Sequence, residues 1–148
     1  MSDQVALLFT NEAFYAAFAG RDIGAMTALW SRRAELTCIH PGWLPLTGRE
    51  AVMRSWQAIL SNPESPTISC WNATGHIFGN MAYVLCHEQV ENSFLAATNV
   101  FIREDGGWKL IHHQAGASPP PTLLPSEPSR DAVADRNVTR FRGASLQC

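Results

Sequence analysis

Residues 3–19 are apolar on nearly every side, a pattern that predicts a helix buried on more than one face. Gly20 ends it as a helix-terminating glycine, and Asp22 caps a short second helix whose Ile23, Met26 and Trp30 fall on one stripe. A third helix opens on Thr47-x-x-Glu50, read as a capping box, and carries Val52, Trp56, Ile59 and Leu60 at i, i+4, i+7 and i+8. Asn62-Pro63 stops it. The pattern then changes. Segments 67–78, 81–91, 94–104 and 108–116 are rich in β-branched and aromatic residues and read as strands, with one more strand at 35–40. Gly79-Asn80 and Asp105-Gly106-Gly107 are hairpin turns, and linkers this short force antiparallel pairing. The order α-α-β-α-β-β-β-β predicts an α+β domain, three helices on one face of a curved antiparallel sheet.

Composition shifts near residue 116. The stretch "GASPPPTLLPSEPSRD" holds five of the nine prolines, so 1–116 reads as the folded domain and 117–148 as an extended or disordered tail. A short helix around residues 130–140, packed on a partner subunit, is the alternative. A net charge of −2 and no basic stripe argue against nucleic acid. No apolar run reaches the ~20 residues that cross a bilayer, and the N-terminal stretch lacks the marks of a signal peptide. Cys38, Cys70, Cys86 and Cys148 have neither C-x-x-C spacing nor the density of a secreted scaffold, and read as reduced thiols of a cytoplasmic protein.

"AFYAAFAGRDIGAMTALW", "HPGWLPLTGREAVMRSW" and "TNVFIREDGGWKLIHHQAG", in that order, resemble the nuclear transport factor 2-like superfamily, and most of all its SnoaL-like branch. The closing D-G-x-W-apolar-apolar-H hairpin is the most specific part. The resemblance implies a cone-shaped, cystatin-like α+β fold with an apolar pocket between helices and sheet, and a homodimer built through the sheet. It does not imply one activity: isomerases, cyclases, dehydratases, an import carrier and the association domain of a calmodulin-dependent kinase share the fold.

The candidate chemistry begins at "CIHPGW". Cys38 and His40 are two apart on a strand, with side-chain origins roughly 6–7 Å apart, too far for a catalytic pair that needs ~3 Å. His40-Pro41-Gly42-Trp43 reads as a type II turn that carries His40 and Trp43 to the pocket mouth. On the last strand, alternation places Trp108, Leu110, His112 and Gln114 on the pocket face, and Lys109, Ile111 and His113 on the outer, dimer face. Many relatives have a second histidine where this chain has Gln114. Asn99 falls where the kinase association domain has a pocket arginine, and is a candidate polar group of the pocket. His87 and Glu88 face opposite ways, and Glu88 reads as an outward residue, since a glutamate is rarely buried unpaired. Trp71 and Tyr83 read as packing, and Trp56 as core or pocket lining.

No H-x-H or H-x-x-x-H spacing supplies paired metal ligands, so neither metal nor cofactor is expected; a site from His40, His112 and Glu88 is the sharper alternative. The sequence therefore leads to a small-molecule-binding protein. Its candidate acid–base residues are His40 and His112, acting on a mostly apolar ligand in an isomerase-, cyclase- or dehydratase-type reaction. Trp43, Trp56, Asn99, Trp108 and Gln114 are its candidate ligand contacts. A non-catalytic binding or assembly module is the competing reading.

Overall fold

The computed structural model describes residues 1–121; residues 122–148, most of the proline-rich tail with its alternative helix, lie outside the described residues, and the last strand runs two residues past the expected end of the domain, to Ser118. Met1–Ala117 form one unit. Its helices are α1 (Asp3–Ala19), α2 (Ile23–Leu29) and α3 (Arg49–Ser61). Its strands are β1 (Thr37–Ile39), β2 (Leu46–Thr47), β3 (Ile68–Phe78), β4 (Met81–Val90), β5 (Ser93–Glu104) and β6 (Gly107–Ser118). They form one curled sheet in the order β2-β1-β6-β5-β4-β3.

One edge of this sheet differs from the sequence expectation in two ways. β1 lies parallel to β6, with Thr37 beside His112 and Cys38 beside His113, so the sheet is mixed and not wholly antiparallel. The extra strand β2 pairs antiparallel with β1 through Thr37 and Thr47. Because Thr47 is committed to that ladder, the capping box does not form: Gly48, at φ 94°, is the N-cap of α3 and offers no side-chain bond. Glu50 instead accepts from Arg54, one turn on, at 2.6 Å. The end of α1 also differs. Gly20 remains in the right-handed region, and the left-handed residue is Arg21, whose guanidinium donates to the carbonyls of Asn62 and Ser65 beyond α3.

Burial on α1 is one-sided despite its apolar composition. Leu7, Asn11, Phe14, Tyr15, Ala17 and Phe18 are buried, whereas Val5 and Phe9 are 54% and 65% exposed. The helix approaches β3 so closely at Gly75 that a Cβ there would stand 2.9 Å from Leu7 Cδ2. β4, and β5 as far as Phe101, alternate: Ala82, Val84, Cys86 and Glu88 point inward, as do Leu95, Ala97, Asn99 and Phe101, while at the end of β5 Arg103 is exposed and Glu104 buried. The outward face carries aromatic cross-strand pairs, Trp71 stacked on His87 and His76 on Tyr83, with centroids 4.8 and 4.7 Å apart. β3 reaches this register through an irregularity between Trp71 and Thr74, where Asn72 takes φ 55°.

Trp56 of α3 is the hub of the aromatic core. Fully buried, its ring meets Phe14, Phe18 and Trp30 at centroid distances of 5.4, 5.5 and 6.3 Å. Truncation here leaves a cavity bounded by three helices. Trp56→Ala is expected to cost about 3–5 kcal/mol, read as a lowered urea midpoint with an unchanged slope.

Candidate functional site

A cavity of about 430 Å³ opens between α1, α3 and the inner face of the sheet. Phe18, Ile59, Ile68, Val90 and Leu95 give it apolar walls, and Pro41, Trp43, Ser65 and Pro66 come from the loops. Three titratable side chains face it: His40, Glu88 and His113.

Glu88 is the residue that sequence reasoning missed. Its side chain is 1% exposed, not outward, because it continues the buried parity of Val84 and Cys86 and pairs across the ladder with buried Leu95. Oε2 accepts a 2.5 Å hydrogen bond from Tyr15 of α1, while Oε1 has no partner. Burial raises this carboxyl to about 7, and the Tyr15 bond opposes the rise only in part. Tyr15 is itself held protonated, by burial first and then by the neighbouring Glu88 and Cys86.

The rest of the polar interior follows from that bond. Tyr15 has given its proton to Glu88, so it accepts from Asn99 Nδ2 at 3.2 Å. Asn99 Nδ2 also donates to Asn11 Oδ1 at 2.8 Å. Asn99 must then present Oδ1 to His113 Nδ1, 2.5 Å away, which makes that nitrogen the donor. His113 Nε2 is left with its lone pair. Burial is the main reason the imidazole is driven down to about 3, with nearby His40 and His112 adding to it. Signals for this network existed: Asn11 and Tyr15 are polar residues four apart on the buried face of α1, and Asn99 lies on the buried parity of β5.

β6 does not keep one parity. Trp108 and Leu110 are buried, Ile111 and His112 are both half-buried, and burial resumes at His113 and Ala115. The alternation has slipped by one residue, as it does when a strand accommodates an extra residue in a ladder. This corrects the expected facing: His113 enters the cavity, while His112 turns to the edge, where Nδ1 lies 2.6 Å from Thr37 Oγ1. Gln114 is exposed and is not a cavity residue. Trp108 is buried away from the cavity, its ring under the Arg103 guanidinium at 4.2 Å.

His40 is 4% exposed, and the turn after it is closed by a 2.9 Å bond from Trp43 N–H to its carbonyl, with Gly42 at φ 81°. Ser55 donates its hydroxyl proton to the Val52 carbonyl, so His40 Nε2–H donates to Ser55 Oγ at 2.9 Å. Cys38 Sγ lies 3.6 Å from Nε2, nearer than β-strand spacing suggests. The pair is nonetheless two neutral groups, since burial pushes the thiol up to about 12 and the imidazole down to about 4. Trp43, at the mouth and 46% exposed, packs edge-on against His40 at 4.8 Å. Trp56 contacts the site from behind, 4.7 Å from His40 and 5.9 Å from His113 between centroids. Among the described residues no three His, Cys, Asp or Glu side chains converge to hold a metal ion; His112 faces away from His40 and Glu88. No described helix is long and apolar enough to cross a membrane.

Residues 8–120 match the SnoaL-like domain. The chain belongs to the SnoaL-like family. A provisionally assigned dehydratase of the NTF2-like family from Streptomyces avermitilis is 30% identical, with a TM-score of 0.72 over 80% of this chain and 97% of that one. A cystatin-like protein from Caulobacter vibrioides shares the fold at 12% identity, with a TM-score of 0.73 over 93% and 98% of the two chains. The CaMKII hub of S. rosetta does so at 18%, with a TM-score of 0.66 over 80% and 98%. The F-box protein SKIP8 of Arabidopsis thaliana is 26% identical over 112 residues, which are 74% of this SnoaL-like chain and 48% of that protein. This chain thus spans about half the length of that relative.

The three titratable groups have opposite effects on stability. Glu88 binds its proton more tightly folded than unfolded, so its contribution is present at acid pH and is lost as pH rises from ~4.3 through about 7. His40 and His113 do the reverse: theirs is present above ~6.5 and is lost as pH falls toward about 4 and about 3. Glu88→Gln is neutral throughout. It is expected to gain about 1–3 kcal/mol on the wild type between pH 5 and pH 8, measured by urea denaturation at the two pH values.

Proposed function

We propose that the cavity binds a small, mostly apolar molecule and that Glu88 exchanges a proton with it, in chemistry of the isomerase, cyclase or dehydratase kind. The observation that carries this reading is the Glu88 carboxyl: buried in an apolar cavity, fixed at one oxygen by Tyr15, unpartnered at the other, and poised near neutrality. A group that titrates near working pH is suited to both giving and taking a proton. His113 and His40 are neutral across the physiological range, so in this reading they hold and orient the ligand while the carboxyl does the proton work. That reverses the roles expected from sequence, where histidines were the acid–base candidates. The likeness to a provisional dehydratase at 30% identity agrees with this class without naming a substrate.

A probe with no specific recognition tests the carboxyl directly. 5-Nitrobenzisoxazole loses its ring C–H proton to a base as the N–O bond opens to a cyanophenolate, which is coloured. The full chain is expected to catalyse this ring opening with a rate that rises through a midpoint near pH 7. Glu88→Gln should lower the rate at least tenfold, a loss of about 1.4 kcal/mol of transition-state stabilisation. A rate indifferent to Glu88 would sink the proton-transfer reading.

The outward face of the sheet supports a second role, assembly. Trp71, Phe78, Tyr83, Leu85 and His87 present a surface without fixed charge, with Phe78 65% and Leu85 43% exposed. We read it as the face of a homodimer, alongside the likeness to a kinase hub. Leu85→Arg is expected to halve the mass seen by sedimentation equilibrium without lowering the helical signal. A wild-type monomer would refute this.

A further inference from the structure

The chemistry of the cavity's ligand is written in its unfilled hydrogen-bonding positions. Every polar group there whose direction is fixed offers a lone pair. His113 has spent Nδ1–H on Asn99 and keeps Nε2 as an acceptor. His40 has spent Nε2–H on Ser55, and its Nδ1 has the Cys38 thiol as a long donor at 3.9 Å. Tyr15 has spent its proton on Glu88, whose Oε1 is without a partner. Among the described residues lining the cavity, Glu88 is the one that carries a charge, and neither Lys nor Arg is present.

Such a set discriminates between ligand classes. A carboxylate or phosphate would bring a second negative charge against Glu88 with no cation to receive it, at a cost that low dielectric amplifies. A ketone brings only acceptors; it can take a proton from protonated Glu88 or a serine hydroxyl of the lining, but it leaves the His113 lone pair and ionised Glu88 unmet. A protonated nitrogen answers all of them: it supplies the missing counter-charge and several N–H donors in one compact group. The walls also suit an organic cation, since Trp43 stands at the mouth with an exposed π-face.

We infer that the ligand is a small amine whose protonated nitrogen sits on Glu88 Oε1 and whose apolar body lies among Phe18, Trp43 and Leu95. This rests on the reading of the cavity as the ligand site. An amine arriving as free base takes the proton from Glu88: an N–H bond forms, the O–H bond breaks, and the product is an ammonium–carboxylate pair. An amine arriving already protonated displaces that proton to water. Binding of the cation therefore weakens as Glu88 becomes protonated. The other titratable groups around this carboxyl are Tyr15 of α1, Cys70 of β3, Cys86 of β4, His113 of β6 and His40 after β1; α3 and β5 contribute none. Tyr15 and Cys70 are driven upward and both histidines downward, so between pH 6 and pH 8 they keep their protonation states; Cys86 is drawn downward by its hydrogen bonds with Cys70 and Tyr15 and is the one neighbour that moves toward this range.

Three probes of one shape separate the possibilities: 2-phenylethylamine, 2-phenylethanol and phenylacetate, each titrated into the full chain by calorimetry at pH 6 and pH 8. The amine is expected to bind at least tenfold tighter than the alcohol at pH 8 and to lose about tenfold on going to pH 6, where roughly a tenth of Glu88 is ionised. Glu88→Gln should abolish the amine's advantage over the alcohol. Equal affinity for alcohol and amine, a preference that survives Glu88→Gln, or phenylacetate as the tightest ligand would each overturn the amine assignment while leaving the cavity as a ligand site. Failure of all three probes to bind would overturn the ligand-site reading itself, and the amine assignment with it.

Discussion

Tyr15 has one proton to give, and it gives it to Glu88. From that choice the hydrogen-bond directions of three further groups follow, through Asn99 to Asn11 and to His113, so that a helix and three neighbouring strands agree on a single arrangement of donors and acceptors. Buried polar groups are costly when unpaired and strengthen one another when paired, which makes such a thread an all-or-none feature of the interior. The thread is satisfied everywhere except at its cavity end, where Glu88 Oε1 is left over. Among the described residues three indole N–H groups, of Trp30, Trp56 and Trp108, are also without a partner, but Glu88 Oε1 is the unpaired atom that belongs to an ionisable group lining the cavity.

The elements were legible because their signals are local. Val52, Trp56, Ile59 and Leu60 mark one face of α3, and the glycine-bearing turns around residues 79 and 106 enforce the β3-β4-β5-β6 meander. What escaped was set by tertiary partners. Thr47 has the chemistry of a helix cap but is claimed by the β1 ladder. Val5 and Phe9 are as apolar as the core, yet α1 has a sheet on one side only. The parallel docking of β1 on β6 has no trace in a short strand followed by a turn.

The site was less legible than the fold, for a reason of parity. Asn99 was named from the resemblance alone and falls on the buried parity of Leu95, Ala97 and Phe101, but in β6 the slip at Ile111–His112 exchanges the roles of two adjacent histidines. No local composition announces that slip. Glu88 was passed over because a glutamate on a strand is usually outward; its buried parity was visible in Val84 and Cys86, but the partner that makes burial tolerable, Tyr15, is seventy-three residues away in the chain.

The parallel pairing of Thr37 with His112 carries a consequence for how the molecule comes into being. β1 is made early in synthesis, yet its ladder partner in the six-stranded sheet is the last strand to appear. His40 and His113, with ring centroids 6.4 Å apart in the cavity lining, can meet only after β3, β4 and β5 have been made. Contacts of such long sequence separation pay their loop-closure entropy before they return any stabilisation, and they form late. Until β6 is made the meander is unfinished and its inner face open, so the cavity is among the last features that folding completes.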